Sequence, residues 1–390
     1  MGQMLEAIAD PANLAAAWAK VRANAGAAGV DGQSIAAFDA DSEHQLVRLR
    51  RRLLSAERYV PPPVLRVEIP KPDGRMRPLG IPTVADRVVQ QATRQVIEPH
   101  FEAEFLPCSF GYRPGRSAQR AAVWWVKEAI RRGDRWVAEF DVEGFFDHLS
   151  HARLLRQVAK KVDDPEVIGL VRRWLRAGVF SAEGLVPSVA GTPQGGVISP
   201  LLANIYLHRL DVKVRAAGFR LIRYADDFVI LADRRWKVKA ADRLVRSILS
   251  DMGLSVSEAK SGVVRVRDGF EFLGFTIHGR FLRPRPRALA SFKDRVRSRT
   301  RRQAPVSMSQ MIDQLNPLLR GWGTYYAIGD VVSLFEDLDK WIRMRLRSKA
   351  RKRFKSKGGP DGQKWPNKAF DDLGLVRLEH LARTGKLSPV

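Results

Sequence analysis

The sequence predicts a mixed α+β domain followed by a basic helical region, and three observations carry that prediction. From Tyr59 to about Thr276, short β-like runs alternate with longer helical patterns. Beyond Arg283 the apolar residues Leu315, Leu318, Trp322, Leu334, Leu338 and Ile342 fall at helical spacing among many Arg and Lys, with little strand signal. The chain's 390 residues exceed what one core usually organises, so two or three subdomains are expected.

In order along the chain, residues 1–56 read as a helical entry region, with Leu14, Trp18 and Val21 on one face and a glycine-rich break from Asn24 to Gly32. Residues 57–282 carry the strands. The segment Ile69 to Leu79 predicts a β-hairpin turning at Pro72-Asp73-Gly74. Arg283-Pro284-Arg285-Pro286-Arg287 reads as a stiff basic connector, and residues 283–390 as a helical region. Within it, Lys355 to Lys368 is Gly, Pro and Lys-rich and reads as a loop before a short helix ending near Arg383.

Charge narrows the function. A formal net charge of +25 on a chain that is 45% hydrophobic places a large cationic excess on a globular surface, which calls for a polyanion. Nucleic acid fits, with binding weakened by salt through counterion release. A membrane partner is disfavoured because no run of about 18 apolar residues occurs, and the start lacks the regions of a signal peptide. The single cysteine, Cys108, excludes disulfide frameworks and zinc knuckles and points to a reducing interior such as the cytoplasm.

The strongest local pattern is Leu221 to Leu231, two apolar β-runs meeting at Asp226-Asp227. Adjacent carboxylates held between buried strands repel unless a cation neutralises them. A second strand, Trp136 to Phe140, ends in Asp141. Carboxylates at two strand ends suit a pair of hard divalent ions, the arrangement that in-line phosphoryl transfer to a 3′-hydroxyl needs. Glu143 reads as a solvated turn residue and Asp147 as a helix cap.

At these residues the chain resembles group II intron reverse transcriptases and their bacterial relatives. Tyr224-Ala225-Asp226-Asp227 is similar to the family's catalytic hairpin, and Asp141 to Asp147 to its first catalytic segment. The resemblance implies a right-hand polymerase, with fingers and palm built on antiparallel sheet and an α-helical thumb or maturase-type domain after it. It implies Asp141 and Asp226 as shared metal ligands, Asp227 as the supporting acid, and two Mg²⁺ ions, with Mn²⁺ as a substitute. Phe146 resembles the bulky residue under the sugar of the incoming nucleotide, an aromatic wall that leaves a 2′-hydroxyl unpaired. Lys71 and Arg77, with Arg75 beside them, match the cations of the fingers hairpin that hold the triphosphate.

The flanking segments follow the family's order. Ser109 to Ser117 interleaves aromatics with Arg, a composition suited to stacking on bases while gripping the backbone, and offers Phe110, Arg113 and Arg116 to the template. Gly191 to Pro200 resembles the nucleotide-pocket loop, with Gln194 near the incoming nucleotide and flexible Gly195-Gly196. Lys260 is offered to phosphate, and Gly274 in Phe272-Leu273-Gly274-Phe275 to the primer. Asn24 to Gly26 and Gly29 to Gly32 resemble the amino-terminal extension whose loop helps clasp template. Trp322, Tyr325 and Tyr326 read as packing residues of the thumb. The run Trp341 to Lys357, with Arg343, Arg347 and Arg351, spreads charge around a helix as a phosphate-tracking surface.

The resemblance therefore implies an RNA-directed DNA polymerase acting on an RNA template, a DNA or RNA primer and dNTPs. It also implies binding of a structured intron RNA to assist splicing and retrohoming. No HNH nuclease motif follows the thumb. Alternative readings are a domesticated relative in DNA repair or phage defence, and an RNA-binding splicing cofactor with an idle polymerase, which the intact aspartates oppose. Oligomeric state is not legible.

Overall fold

The computed structural model describes residues 2–70, 76–116, 118–181, 184–186, 190–192, 195–353 and 365–384, without the side chains of 118–121 and 350–353. Lys71, Arg75, Gln194 and the Arg351 side chain lie outside the described set. Contacts divide the chain into two compact units, Met1–Ala118 with Ala138–Ile230 and Trp236–Val263, and Gln119–Val137 with Leu231–Arg235 and Val264–Val390.

The first unit opens with α1 (Gln3–Ile8), α2 (Pro11–Ala23), α3 (Ile35–Asp39) and α4 (Ser42–Leu53). Helix α2 starts where Asp10 accepts from the Ala12 and Asn13 amides and Pro11 presets the first turn. Strands β1 (Val64–Pro70) and β2 (Met76–Ile81) pair antiparallel, Ile69 opposite Arg77, and the turn expected at Pro72-Asp73-Gly74 lies outside the described residues. They extend into a sheet of order β2-β1-β4-β5, in which β4 (Val179–Ser181) runs parallel to β1 and β5 (Gly184–Val186) pairs antiparallel with β4.

Helix α5 (Val84–Glu102) is capped by the Thr83 hydroxyl. It buries Asp86, whose carboxylate accepts from Tyr59 Oη, Trp174 Nε1 and Gln90 Nε2. Burial raises the Asp86 pKa, and the three donors pull it back down. The glycine-rich entry loop packs on the start of α5. A Cβ at Gly29 would meet the Thr83 backbone at 2.7 Å, and the Arg87 guanidinium donates to the Pro82 and Ala27 carbonyls.

Strand β3 (Trp136–Asp141), α7 (His151–Val158), α8 (Pro165–Arg176), α9 (Ser199–Ala216), β6 (Arg220–Tyr224), β7 (Asp227–Ala232), α10 (Arg235–Met252) and β8 (Gly262–Arg265) complete this part, with sheet order β6-β7-β3-β8. The α7 cap is Ser150, whose hydroxyl accepts from the Arg153 amide, and not Asp147. Asp147 lies three residues too early, in the turn that precedes the helix.

The second unit contains α6 (Ala118–Arg131) and an antiparallel sheet of β9 (Phe270–Phe272), β10 (Phe275–His278) and β11 (Phe281–Pro284). It continues with α11 (Pro286–Arg299), α12 (Met308–Tyr326), α13 (Val332–Arg353), α14 (Asn367–Asp372) and α15 (Leu378–Thr384). The expected connector at Arg283–Arg287 is instead ordered structure. Arg283 of β11 pairs with Thr276 of β10, and Pro286 opens α11, a position where a missing N–H costs nothing. Trp322 stacks on Phe292 at 4.0 Å and meets Tyr326 and Phe335, a packing role as the sequence suggested.

Candidate active site

The Asp226-Asp227 pair sits on the tip of the β6–β7 hairpin in the first unit. Phe228, Val229, Ile230 and Leu231 are buried, as are Leu221 and Ile222, so apolar burial anchors both strands and drives the polar tip outward. Only Ala225 and Asp226 separate the strands, and Ala225 takes a left-handed φ of 58° that makes the turn tight. Phe140 of β3 stacks on Phe228 at 4.9 Å, which ties β3 to β7 and brings Asp141 alongside the tip.

Asp141 is held from its other side. Its carbonyl accepts from the Ser257 amide at 2.8 Å, and its amide donates to Ser261 Oγ at 3.2 Å. Val142 bridges antiparallel to Val256. The same loop delivers Lys260, whose Nζ lies 3.1 Å from Asp141 Oδ2.

Burial raises the Asp226 carboxyl above its usual range and the Asp141 charge adds to the rise, while Arg77 and Arg223 oppose it. Asp227 is pushed up to about 7, by burial first and then by the charges of Asp226, Asp141 and Glu139, with Lys260 opposing. Carboxylates whose charges push up Asp226 and Asp227 concentrate negative charge that Arg77, Arg223 and Lys260 offset only in part. Their donor set is oxygen only, the chemistry of a hard divalent cation. Among the described residues no three His, Cys, Asp or Glu form a ready-made cage. The arrangement is an open carboxylate platform, which fits an ion that takes its remaining ligands from substrate oxygens and water.

Three other segments meet this platform. Residues 108–110 run beside β6, Phe110 donating its amide to the Arg223 carbonyl and Ser109 bridging parallel to Arg223. Gly111 then touches the tip itself, since a Cβ there would lie 2.6 Å from the Ala225 nitrogen. Phe146 is half-buried, edge-on to Phe145 at 5.2 Å, and its carbonyl accepts from the Thr192 amide at 2.7 Å. The loop that leads to Gln194 therefore lies against Phe146. Arg77 is exposed on β2 and close enough for its charge to act on Asp226 and Tyr112.

The expected template residues are placed differently. Phe110 is 3% exposed and Arg113 7%. The Arg113 guanidinium gives its donors to Glu102 and to the Phe105, Leu106 and Ser109 carbonyls, which uses all five N–H groups. Both are scaffold residues here, because a saturated, buried guanidinium has nothing left for a phosphate. Arg116 is half-buried over the Phe110 ring and donates to the Pro107 carbonyl.

In the second unit, Gly274 takes φ 81° beneath the Tyr326 hydroxyl, and its carbonyl accepts from the Arg285 amide. Arg347 donates to the Trp365 carbonyl and Asn367, a packing role for a residue expected to track phosphate. Arg343 is half-buried on α13.

The sequence reading missed Arg223. It is fully buried, forks onto Asp211 at 2.6 and 2.7 Å, and donates to Asn204 Oδ1, Ser109 Oγ and the Ala225 carbonyl at the hairpin tip. Asn204 in turn donates to the Gly111 carbonyl at 2.8 Å. A lone Arg in the apolar run of β6 and a lone Asp between Leu210 and Val212 were the visible signals.

The fold and this platform define a nucleic-acid polymerase. The profile of the family described as "Reverse transcriptase (RNA-dependent DNA polymerase)" matches residues 69–277, over half of the chain, and that of "Group II intron, maturase-specific domain" matches 289–369. The chain belongs to the reverse transcriptase family, of the group II intron type, and is an RNA-directed DNA polymerase.

Among curated relatives, Protein YkfC of Escherichia coli (strain K12) is 33% identical over 284 residues, 63% of this chain and 74% of YkfC. Group II intron-encoded protein LtrA of Lactococcus lactis subsp. cremoris is 39% identical over 177 residues, covering 44% of this chain and 28% of LtrA. A solved structure titled "Partial Cas6-RT-Cas1--Cas2 complex" is 25% identical with a TM-score of 0.40, over 64% of this chain and 42% of that one. Among the described residues no helix is long and apolar enough to cross a membrane.

Proposed function

We propose that the chain extends a DNA or RNA primer with dNTPs on an RNA template by two-metal phosphoryl transfer. Asp141 and Asp226 are the ligand carboxylates, and Asp227 supports them. The observation that carries this reading is the hairpin tip, where burial and the Asp141 charge raise two half-buried acids and, among the described residues, Lys260 is the cation paired with the group. These acids would hold Mg²⁺, or Mn²⁺ in its place, which when bound activates the 3′-hydroxyl and neutralises the departing pyrophosphate.

The chain's own residues do the rest. Arg77, with Lys71 and Arg75 of the same hairpin, clamps the triphosphate, and Lys260 adds charge on its other flank. Gln194 is assigned to the incoming nucleotide. The Phe146 ring, braced by Phe145 on a backbone held by the Thr192 amide, closes the space beside C2′ of the sugar. Primer contact is assigned to Gly274 and structured intron RNA to the cations of α13, Arg343 and Arg351 among them, and that RNA binding would assist splicing and retrohoming.

The test is primer extension by the purified protein on an RNA template with dNTPs and Mg²⁺. Asp226→Asn is expected to cost about 10³-fold or more in rate with primer–template binding retained; incorporation that survives the substitution removes the metal assignment. Phe146→Ala is expected to relax discrimination against rNTPs by on the order of 10–100-fold, and unchanged discrimination removes its role.

A further inference from the structure

A second basic site lies in the first unit, and its lining shares no residue with the carboxylate platform. Helices α7 and α9 face each other across a cavity of about 810 Å³ floored by Phe101 and Phe105. From α7 and the turn after it come Arg153, Arg156, Lys160 and Lys161, at the i, i+3, i+7, i+8 spacing of one helical face. Helix α9 supplies Ile205, His208, Arg209, Val212 and Lys213 at i, i+3, i+4, i+7, i+8, a stripe about 12 Å long.

Six cations thus line the cavity against two carboxylates, Glu104 and Asp251. Those two are already engaged with Lys161 and Lys213. Among the described residues, Arg153, Arg156, Lys160 and Arg209 have no carboxylate within salt-bridge distance. Like charges converging on a concave surface repel unless an anion enters. Two buried nitrogens in the lining, Arg153 Nη1 and His208 Nδ1, also lack a partner, and orphaned buried polar atoms are rare unless something satisfies them. The His208 ring sits edge-on to Phe105 at 5.6 Å, so an apolar wall adjoins the cations.

We infer that this cavity is an ancillary docking site for single-stranded RNA, with consecutive phosphates along the α7 and α9 cations and a base against the Phe105–Val212 wall. The inference rests on the reading of the enzyme as one that handles RNA. The length of the cationic stripe exceeds one phosphate group, which favours a strand over a free nucleotide. The mixture of apolar wall and cations suits a strand whose bases are unpaired, because a duplex hides its base faces.

The experiment uses the full chain and a fluorescent 12-nucleotide RNA, without primer or dNTPs, across a salt series. Arg156→Gln/Lys160→Gln/Arg209→Gln changes three exposed residues, so the fold is retained. It is compared with Arg172→Gln/Arg176→Gln/Lys239→Gln, which removes the same charge elsewhere in the unit. The cavity variant is expected to lose about tenfold in affinity at 0.1 M salt and to lower the salt slope by about 2, at about 0.7 per phosphate contact. The control is expected to lose under about threefold. Both should extend a preannealed primer–template within about twofold of the parent.

Equal losses in the two variants, or none in the cavity variant, overturn the site. Displacement of the RNA by ATP or dATP at equal concentration assigns the cavity to free nucleotides, and by poly-glutamate to an acidic protein; either result overturns the strand. Equal binding of duplex RNA does the same. Asp226→Asn is expected to bind the 12-mer as the parent does, so a failure of the polymerase reading and a failure of this site are distinguishable.

Discussion

Two ion pairs flank the catalytic sheet, and they are opposites. Arg223 and Asp211 are both fully buried, joined at 2.6 Å, and Asn204, Ala225 and Ser109 take the remaining Arg223 donors. Lys260 and Asp141 are 53% and 39% exposed, joined at 3.1 Å, with solvent free to replace either partner. In the sealed pair the protein has satisfied the charge permanently. In the open pair it has supplied a cation that another cation can replace. Charges that the fold neutralises for good hold the hairpin in shape, whereas charges it leaves exchangeable or uncompensated mark where chemistry happens.

The comparison breaks most visibly at Arg223. Arg223→Met leaves Asp211 buried without a partner and removes the donor that grips the Ala225 carbonyl, so a loss of about 3–5 kcal/mol in unfolding free energy is expected from chemical denaturation. Arg223→Met/Asp211→Leu removes both charges and is expected to regain much of that loss. Primer extension should stay impaired in the double variant, because stability returns without the grip on the hairpin tip. A double variant with full activity would show that the network serves stability alone.

Gly111→Ala tests the same tip from the outside. Its Cβ would lie 2.6 Å from the Ala225 nitrogen, backbone against backbone, so the hairpin or the 108–111 segment must move. Overpacking of this kind costs about 1–3 kcal/mol. Activity is expected to fall further than stability, since the displaced element carries Asp226. A melting curve beside a primer-extension rate separates the two.

How much of this was legible follows from the same distinction. The acids at the hairpin tip stood out in sequence because adjacent Asp residues interrupt a buried apolar run, a local pattern with local meaning. Arg113 did not reveal its burial, because an aromatic-Gly-Arg loop reads alike whether it faces nucleic acid or folds inward. What turns it inward is Glu102, eleven residues earlier on α5. Arg283–Arg287 failed for a similar reason: its Pro-Arg alternation reads as a linker until β10 supplies the ladder for Arg283 and Pro284 and α11 begins at Pro286. Cavities lined by two helices are hardest of all, since α7 and α9 each carry an ordinary cationic stripe and only their apposition concentrates the charge.

Asp227 gives a pH signature. Its carboxyl sits at about 7 in the metal-free fold, above the value of about 3.9 expected in the unfolded chain. Between those values the folded state holds the extra proton, so raising the pH favours unfolding. The metal-free protein is therefore expected to lose on the order of 3 kcal/mol as pH rises from about 4 to 7 and little above it. Asp227→Asn should flatten that slope, and Mg²⁺ should counter the loss near neutral pH in the parent. Thermal melts at pH 5 and 8, with and without the ion, make the check. A parent slope that survives Asp227→Asn assigns the proton elsewhere.

The smallest effect belongs to the open pair. Lys260→Gln breaks an ion pair that water already screens, so the metal-free stability should change by less than about 1 kcal/mol. The consequence lies in exchange: with the ammonium gone, Asp141 no longer has a competitor for Mg²⁺, and a contact worth about 1 kcal/mol in water corresponds to a roughly fivefold lower Mg²⁺ concentration at half-saturation. Because the same lysine is proposed to steady the triphosphate, the KM for dNTP should rise in the same variant. The two shifts move in opposite directions and are read separately, by Mg²⁺ titration calorimetry without nucleotide and by steady-state extension at saturating Mg²⁺. A stability loss as large as that of Arg223→Met would place both pairs in one class and remove the contrast on which the catalytic reading of the hairpin leans.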